Sequence, residues 1–176
     1  MTRIVIVGGG YAGFYTALKL QKLLRRGEAE VVVIDPLPYM TYQPFLPEVA
    51  AGSIEARHAI VPLRRHLNKC RVITARVTGI NHSAKTVTVT PEGQPDFSLE
   101  YDHIVITAGA VSRTFPIPGV ADFAIGMKTI EEAVSVRDRL IDNLHLAADM
   151  LPGPARDRLL TVVVVGGGFA GIEAFA

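Results

Sequence analysis

Two segments of this chain spell one pattern. Residues 3–13 read Arg-Ile-Val-Ile-Val-Gly-Gly-Gly-Tyr-Ala-Gly, and residues 161–171 read Thr-Val-Val-Val-Val-Gly-Gly-Gly-Phe-Ala-Gly. The β-branched run in each shows no apolar–polar alternation, which is the signature of a parallel strand covered on both faces. A glycine turn and a helix-compatible stretch follow. The offset between Gly8 and Gly166 is 158 residues, far beyond the period of a solenoid repeat. A chain with two such strand–turn–helix openings is constrained to an α/β architecture.

The glycines carry the chemistry. In Gly8-x-Gly10-x-x-Gly13 the first permits a tight turn, the second lets a pyrophosphate approach the backbone, and the third lets helix and strand pack closely. Phosphates then meet the free N–H groups and positive dipole end of the helix. Such a motif alone is weak. Here it follows a strand, opens a helix over 12–26 closed by Gly27, and precedes a second buried strand over 30–35. That strand ends in Asp35, 22 residues beyond Gly13, near the spacing of about 20 for an acid that holds a ribose. An aspartate ending a strand before Pro36 is the plainer alternative, and the complete βαβ unit favours the ribose. The second copy, Gly166-x-Gly168-x-x-Gly171, is followed only by Ile172 to Ala176, so the sequence reads as a fragment that enters a second dinucleotide domain.

Between the copies, Pro36, Pro38, Pro44 and Pro47 predict an irregular restrained loop over 36–47. A short helix is predicted over 62–68 with Pro62 at its first position. A β-meander is predicted over 71–107, with strands near 72–80 and 85–90 and a buried strand over 103–107 that stops at Gly109. A long helix starts at the capping box Thr129-Ile130-Glu131-Glu132, with an apolar stripe of Ile130, Val134, Leu140, Ile141 and Leu144. Pro152-Gly153-Pro154 marks a break. The domain boundary is placed after Phe115, giving a discontinuous first domain over 1–115 and the start of a second over 116–176.

Composition narrows the function classes. Eighteen Lys and Arg against 17 Asp and Glu leave a net charge of +1, which argues against a nucleic-acid footprint or a polybasic membrane patch. One cysteine, Cys70, excludes a CxxC redox pair and is read as a buried inert thiol. His58, His66, His82, His103 and His145 lack metal-ligand spacing, so no metal site is expected. No signal-peptide core or span of about 20 apolar residues is present, and the default compartment is cytoplasmic.

These motifs resemble the two-dinucleotide-binding flavoproteins, whose first fingerprint takes FAD and whose second takes NAD(P)H. Thr107-Ala108-Gly109 resembles, in permuted form, the turn that approaches FAD, and Phe115-Pro116-Ile117-Pro118-Gly119 resembles the crossover that follows it. Within that superfamily the chain is similar to type II NADH dehydrogenases. The similarity rests on Tyr42-Gln43-Pro44-Phe45-Leu46-Pro47-Glu48-Val49-Ala50-Ala51-Gly52, on Pro62-Leu63-Arg64, and on Met127-Lys128-Thr129 with Glu132, Ala133 and Arg137. The absence of a cysteine pair disfavours the disulfide-reductase and sulfide:quinone branches.

The resemblance implies a Rossmann-like FAD domain with a β-meander insert, followed by a truncated NAD(P)-binding domain. It implies hydride transfer from NADH to FAD and electron transfer to a membrane quinone, with NADH against NADPH undecided. Cofactor contacts are expected at Gly8, Gly9, Gly10, Tyr11, Ala12, Gly13, Asp35, Thr107, Ala108 and Gly109, with Pro44 near the flavin ring and Val77 near the adenine. Gly166, Gly168 and Gly171 would receive NADH, with Glu173 at the nicotinamide–flavin contact. For Glu173 a dipole-favoured glutamate at a helix start is the even alternative. Val77 as a plain strand valine and Pro44 as a turn former are likewise open. Arg64 and Arg65 could neutralise phosphates, but facing solvent is favoured. Tyr39, Tyr42 and Phe45 would pack beside the flavin or form an aromatic satellite core. Membrane contact would be peripheral, on the cytoplasmic face and through sequence outside this chain; a homodimer is open. Rival readings are a reductase of a small ferredoxin- or rubredoxin-type protein and a non-catalytic nucleotide-sensing flavoprotein. The 176-residue chain alone is expected to be inactive.

Overall fold

The computed structural model describes residues 1–111, 114 and 116–175. Phe115, on which the predicted boundary and crossover motif fall, and the terminal Ala176 lie outside the described residues. Two compact units form, one from Met1–Met40 with Val61–Ala110, the other from Thr41–Ile60 with Val111–Ala176.

The first unit is built on β1 (Thr2–Val7), α1 (Tyr11–Leu23) and β2 (Ala29–Asp35). Short strands β3 (Tyr39–Thr41) and β4 (Ile60–Pro62) stand where the chain leaves and re-enters it. Then come α2 (Leu46–Ala50), in the second unit, and α3 (Leu63–His66), back in the first. β5 (Arg71–Thr74), β6 (Arg76–Asn81), β7 (Thr86–Thr90), β8 (Phe97–Glu100) and β9 (His103–Ile106) complete it. A parallel sheet runs β5-β2-β1-β9, and an antiparallel sheet runs β6-β7-β8. In register, Val7 pairs with Ile34 and Ile106, and Asp35 with Thr74, so these strands finish together at one end.

The unalternating runs explain the layering. Val5, Val7, Val32 and Ile34 pack against Val87, Val89 and Leu99 of the antiparallel sheet. From the other face, Ile6, Val31 and Val33 pack against Phe14 and Ala17 of α1, Leu63 of α3 and its C-cap Leu67. Each fully buried aliphatic side chain contributes about 1.5–3 kcal/mol.

Several elements depart from their sequence-based expectations. Helix α1 stops at Leu23, because Leu24 turns to extended backbone and the Arg25 N–H donates to Glu28 Oε2 at 2.9 Å. Gly27, at φ +84°, therefore belongs to the following turn and is no helix cap. The proline-rich stretch is also more regular than expected. Pro44 and Pro47 occupy opening positions of a 3₁₀ turn over Gln43–Phe45 and of α2, where a missing N–H costs nothing. Pro62 precedes α3 as its N-cap, and that helix closes at His66.

The single strand expected near 72–80 is two strands. Ala75, whose N–H donates to the Asp35 carbonyl at 3.0 Å, passes the chain from the parallel sheet to the antiparallel one. β8, unassigned from sequence, completes the meander. β9 lies at the sheet edge, and Ile106 is 63% exposed rather than buried.

The second unit contains α2, α4 (Val120–Phe123), α5 (Ile130–Ala148), α6 (Pro154–Leu159) and α7 (Phe169–Phe175). Its core joins Leu46, Val49 and Ala50 of α2 to Ala59 and Ala133, with Met127, Ile130 and Val134 packed against them. The Thr129 capping box forms as read: Glu132 N donates to Thr129 Oγ1 at 3.1 Å, and Thr129 N to Glu132 Oε2 at 3.0 Å. Only the first half of the expected stripe packs inward. Ile141 and Leu144 are exposed, whereas the small residues Ala133 and Ala147 are buried, because alanine admits the closest approach of a neighbouring backbone. The strand expected over 161–165 forms no ladder, and Val162, Val163, Val164 and Val165 are all exposed. Among the described residues, no helix is long and apolar enough to cross a membrane.

Candidate functional site

The first glycine turn stands at the end where β1, β2 and β9 finish. Gly8 holds φ +103°, its N–H donates to Ile34 O at 2.8 Å, and a side chain there would strike the Thr107 carbonyl. A Cβ on Gly13 would meet the Gly8 carbonyl and lie 2.7 Å from Thr107 Oγ1. At Gly9 it would come within 2.7 Å of Leu63 Cδ1. Gly10 differs from all three. It is the N-cap of α1 with ordinary backbone angles, and a Cβ there would meet nothing within 4 Å. The protein's own packing leaves Gly10 unconstrained, and the space before it is open.

No side chain caps α1, and its first turn contains no acid. The start of α1 therefore sets the positive end of the helix dipole beside the open space at Gly10 with no acidic side chain in its first turn, the arrangement that attracts a phosphate. Asp35 is half-buried beside the turn. Its Oδ2 accepts from Gly9 N at 2.6 Å and its Oδ1 from Leu37 N at 2.7 Å, leaving one lone pair per oxygen for a hydroxyl donor. Val77 is half-buried against the core of the first unit and pairs with Val89, in an edge strand whose outer backbone groups point away from β7. Tyr11 stacks on Tyr15 at 6.4 Å, and Gly109 holds φ +70° just beyond Thr107 and Ala108.

Gly8, Gly9, Gly10, Gly13, Asp35, Thr107 and Ala108 thus converge on one turn. Pro44, Gly166, Gly168, Gly171 and Glu173 belong to the second unit. Glu173 is exposed and sits past the first turn of α7, so the dipole, which acts within that turn, gives it little. Tyr42 and Phe45 meet edge to face at 4.8 Å and are exposed, so they form no satellite core. Arg64 reaches the Val72 carbonyl and Thr74 Oγ1 at 3.3 and 3.1 Å. Cys70 is half-buried, and burial pushes its thiol pKa up. Sequence reasoning missed two contributors, Leu63 under Gly9 and the hydrogen bonds of the Thr107 hydroxyl. Leu63 had only the apolar position after Pro62 as a signal.

Known proteins resemble this chain along nearly its whole length. It is 36% identical to the "External alternative NAD(P)H-ubiquinone oxidoreductase B3, mitochondrial" of Arabidopsis thaliana, matching 97% of this chain and 31% of that protein. It is 35% identical to the "Type II NADH:quinone oxidoreductase NdhA" of Mycobacterium tuberculosis, matching 97% of this chain and 36% of that one. The solved structure of NDH2 from Plasmodium falciparum in complex with RYL-552 superposes with a TM-score of 0.88 at 28% identity, over 98% of this chain and 35% of that chain. The chain therefore spans about a third of the length of these relatives. A family match over residues 2–176 takes in the glycine turn, the sheets and the second unit alike, and this chain belongs to the pyridine nucleotide-disulphide oxidoreductase family.

Proposed function

We propose that the protein carrying this sequence is an FAD-dependent NADH:quinone oxidoreductase. The observation that carries the reading is the open, uncapped start of α1 at Gly10, where nothing of the protein fills the space that a side chain would take. A phosphate approaching the Gly10 backbone would meet no side chain at that position. A bound flavin supplies two-electron redox chemistry between NADH and quinone; the protein supplies binding, orientation and exclusion of water. The name of the Mycobacterium tuberculosis relative pairs NADH with quinone, and that of the Arabidopsis thaliana relative pairs NAD(P)H with ubiquinone, which supports the choice of donor class and acceptor.

In this reading the backbone of Gly9 and Gly10 and the first-turn N–H groups at Tyr11, Ala12 and Gly13 hold the FAD pyrophosphate. Asp35 accepts from the ribose, Val77 meets the adenine through its backbone, and Thr107, Ala108 and Gly109 border the flavin side; Pro44 keeps the role near the flavin ring that the family resemblance implies. Residues 1–115 then serve the flavin. Residues 116–176 begin the NADH domain, with Gly166, Gly168 and Gly171 as its pyrophosphate turn and Glu173 acting at the nicotinamide. Reaching a quinone requires peripheral contact with the membrane that holds it, and a homodimer is compatible with this reading.

The test is Gly10→Val in full-length protein. A branched side chain should empty the site of flavin while leaving the melting temperature near that of the wild-type apoprotein, since it strikes nothing of the protein. Flavin retained at wild-type occupancy would overturn the cofactor reading. Steady-state NADH oxidation should be faster with a soluble quinone analogue than with a rubredoxin- or ferredoxin-type acceptor, and the reverse ranking would overturn the acceptor.

A further inference from the structure

The Thr107 hydroxyl lies within 2.9 Å of two carbonyl oxygens, those of Val7 and Gly8, and donates to them as a shared bond. The Thr107 N–H also donates to Val7 O, at 2.8 Å. One face of this arrangement is sheet continuation. The contact with Gly8 is not, because Gly8 lies beyond the ladder, in the turn itself.

A peptide unit is planar and trans, so its carbonyl and its N–H point in opposite directions and turn together. The Gly8 carbonyl and the Gly9 N–H belong to one such plane. Thr107 Oγ1 holds the carbonyl end at 2.9 Å, and Asp35 Oδ2 holds the N–H end at 2.6 Å. Both flanking residues are glycines, whose backbone torsions are the least restricted of any residue. Without a grip at each end this plane could rotate, taking with it the donor that orients Asp35.

We propose that Thr107 is a positioning residue: through the Gly8–Gly9 peptide plane its hydroxyl fixes the orientation of the Asp35 carboxylate toward a ribose hydroxyl. The proposal rests on the reading of the turn as the FAD site. The second glycine turn shows what the clamp adds. Gly166 holds φ +114°, close to Gly8, yet nothing lies within 4 Å of the position where Thr107 and Ala108 crowd Gly8. The turn shape thus arises locally, and the clamp serves to hold one orientation of it.

The experiment measures FAD affinity of the full-length apoprotein by fluorescence titration in a double-mutant cycle. Thr107→Val, nearly isosteric, should weaken binding about tenfold, the worth of one buried hydrogen bond. Thr107→Ser, which keeps the hydroxyl, should restore affinity to within about twofold of wild type. On an Asp35→Ala background the Thr107→Val loss should shrink to under about twofold, since no side-chain acceptor then anchors the far end of the plane. Equal fold-losses in both backgrounds, or a Thr107→Ser variant as weak as Thr107→Val, would overturn the positioning role. Wild type that binds no FAD, or Gly10→Val that binds it normally, sinks the cofactor reading and the positioning role with it. Thr107→Val binding as tightly as wild type while Gly10→Val is empty sinks the positioning role alone.

Discussion

The turns at Gly8 and Gly166 are spelled by nearly the same residues, and their backbones agree, with φ of +103° and +114°. In each, a Cβ on the third glycine would strike the carbonyl of the first, Gly13 against Gly8 and Gly171 against Gly166. Around them everything differs. The strand before Gly8 has paired strands on both sides, and Val5 and Ile6 are fully buried. The run before Gly166 has no ladder among the described residues, and Val163 is 77% exposed. A glycine turn is therefore a local conformation that its own sequence can adopt. A binding site is a tertiary object: it needs the neighbouring strands that bring Asp35 and Thr107 to the turn.

The comparison breaks first in the strands. Val5→Lys places a charge in a fully buried position and should cost more than about 4 kcal/mol, unfolding this chain, whereas Val163→Lys should stay within about 0.5 kcal/mol of wild type. Denaturant titrations of the two variants decide it. Equal losses would mean that the second run is as buried as the first.

A smaller contrast is expected at the third glycine. Gly13→Ala forces a methyl group against both the Gly8 carbonyl and the Thr107 hydroxyl, and should cost about 1–3 kcal/mol. Gly171→Ala meets the Gly166 carbonyl alone at such close range, beside a run that forms no ladder among the described residues, and should cost less than half as much by the same measurement. The reverse order would show that the second turn is the more rigidly held.

The second glycine should give the smallest difference of all. Both Gly10 and Gly168 have open space at the Cβ position, so alanine at either should change stability by no more than about 0.5 kcal/mol. Thermal melts should coincide for the two variants, and a loss confined to Gly10→Ala would mean that its space is not open.

Much of the first site was legible because its signals are short-range. Asp35 is fixed by the length of one helix and one strand after Gly13, and that count is unaffected by the ending of α1 three residues before its predicted limit. The capping box at Thr129 was equally readable, since both of its hydrogen bonds close within three residues. What escaped was long-range. Thr107 meets Gly8 across 99 residues of chain, and no local pattern distinguishes a hydroxyl that donates to a distant carbonyl from one that faces solvent. The prolines of 36–47 misled because their meaning depends on position: proline breaks a helix interior but suits its first turn. The two stretches that carried the closest family resemblance, 42–52 and 127–137, are far apart in sequence. Leu46, Val49 and Ala50 pack with Ala133 in one core, which gives a physical reason for both to be distinctive.

By itself the sequence determined the local conformations of this protein: an apolar run able to be a strand, a glycine turn that only glycines allow, and a capped helix. Only the tertiary structure decided which run became a strand, since a ladder requires a partner's N–H and C=O groups and an extended segment supplies only its own half. Four valines next to a correct turn remain exposed where no partner strand pairs with them. Four residues of like character before Gly8 form the centre of a sheet, because β2 and β9 satisfy both edges of β1 and the layers above and below remove its side chains from water.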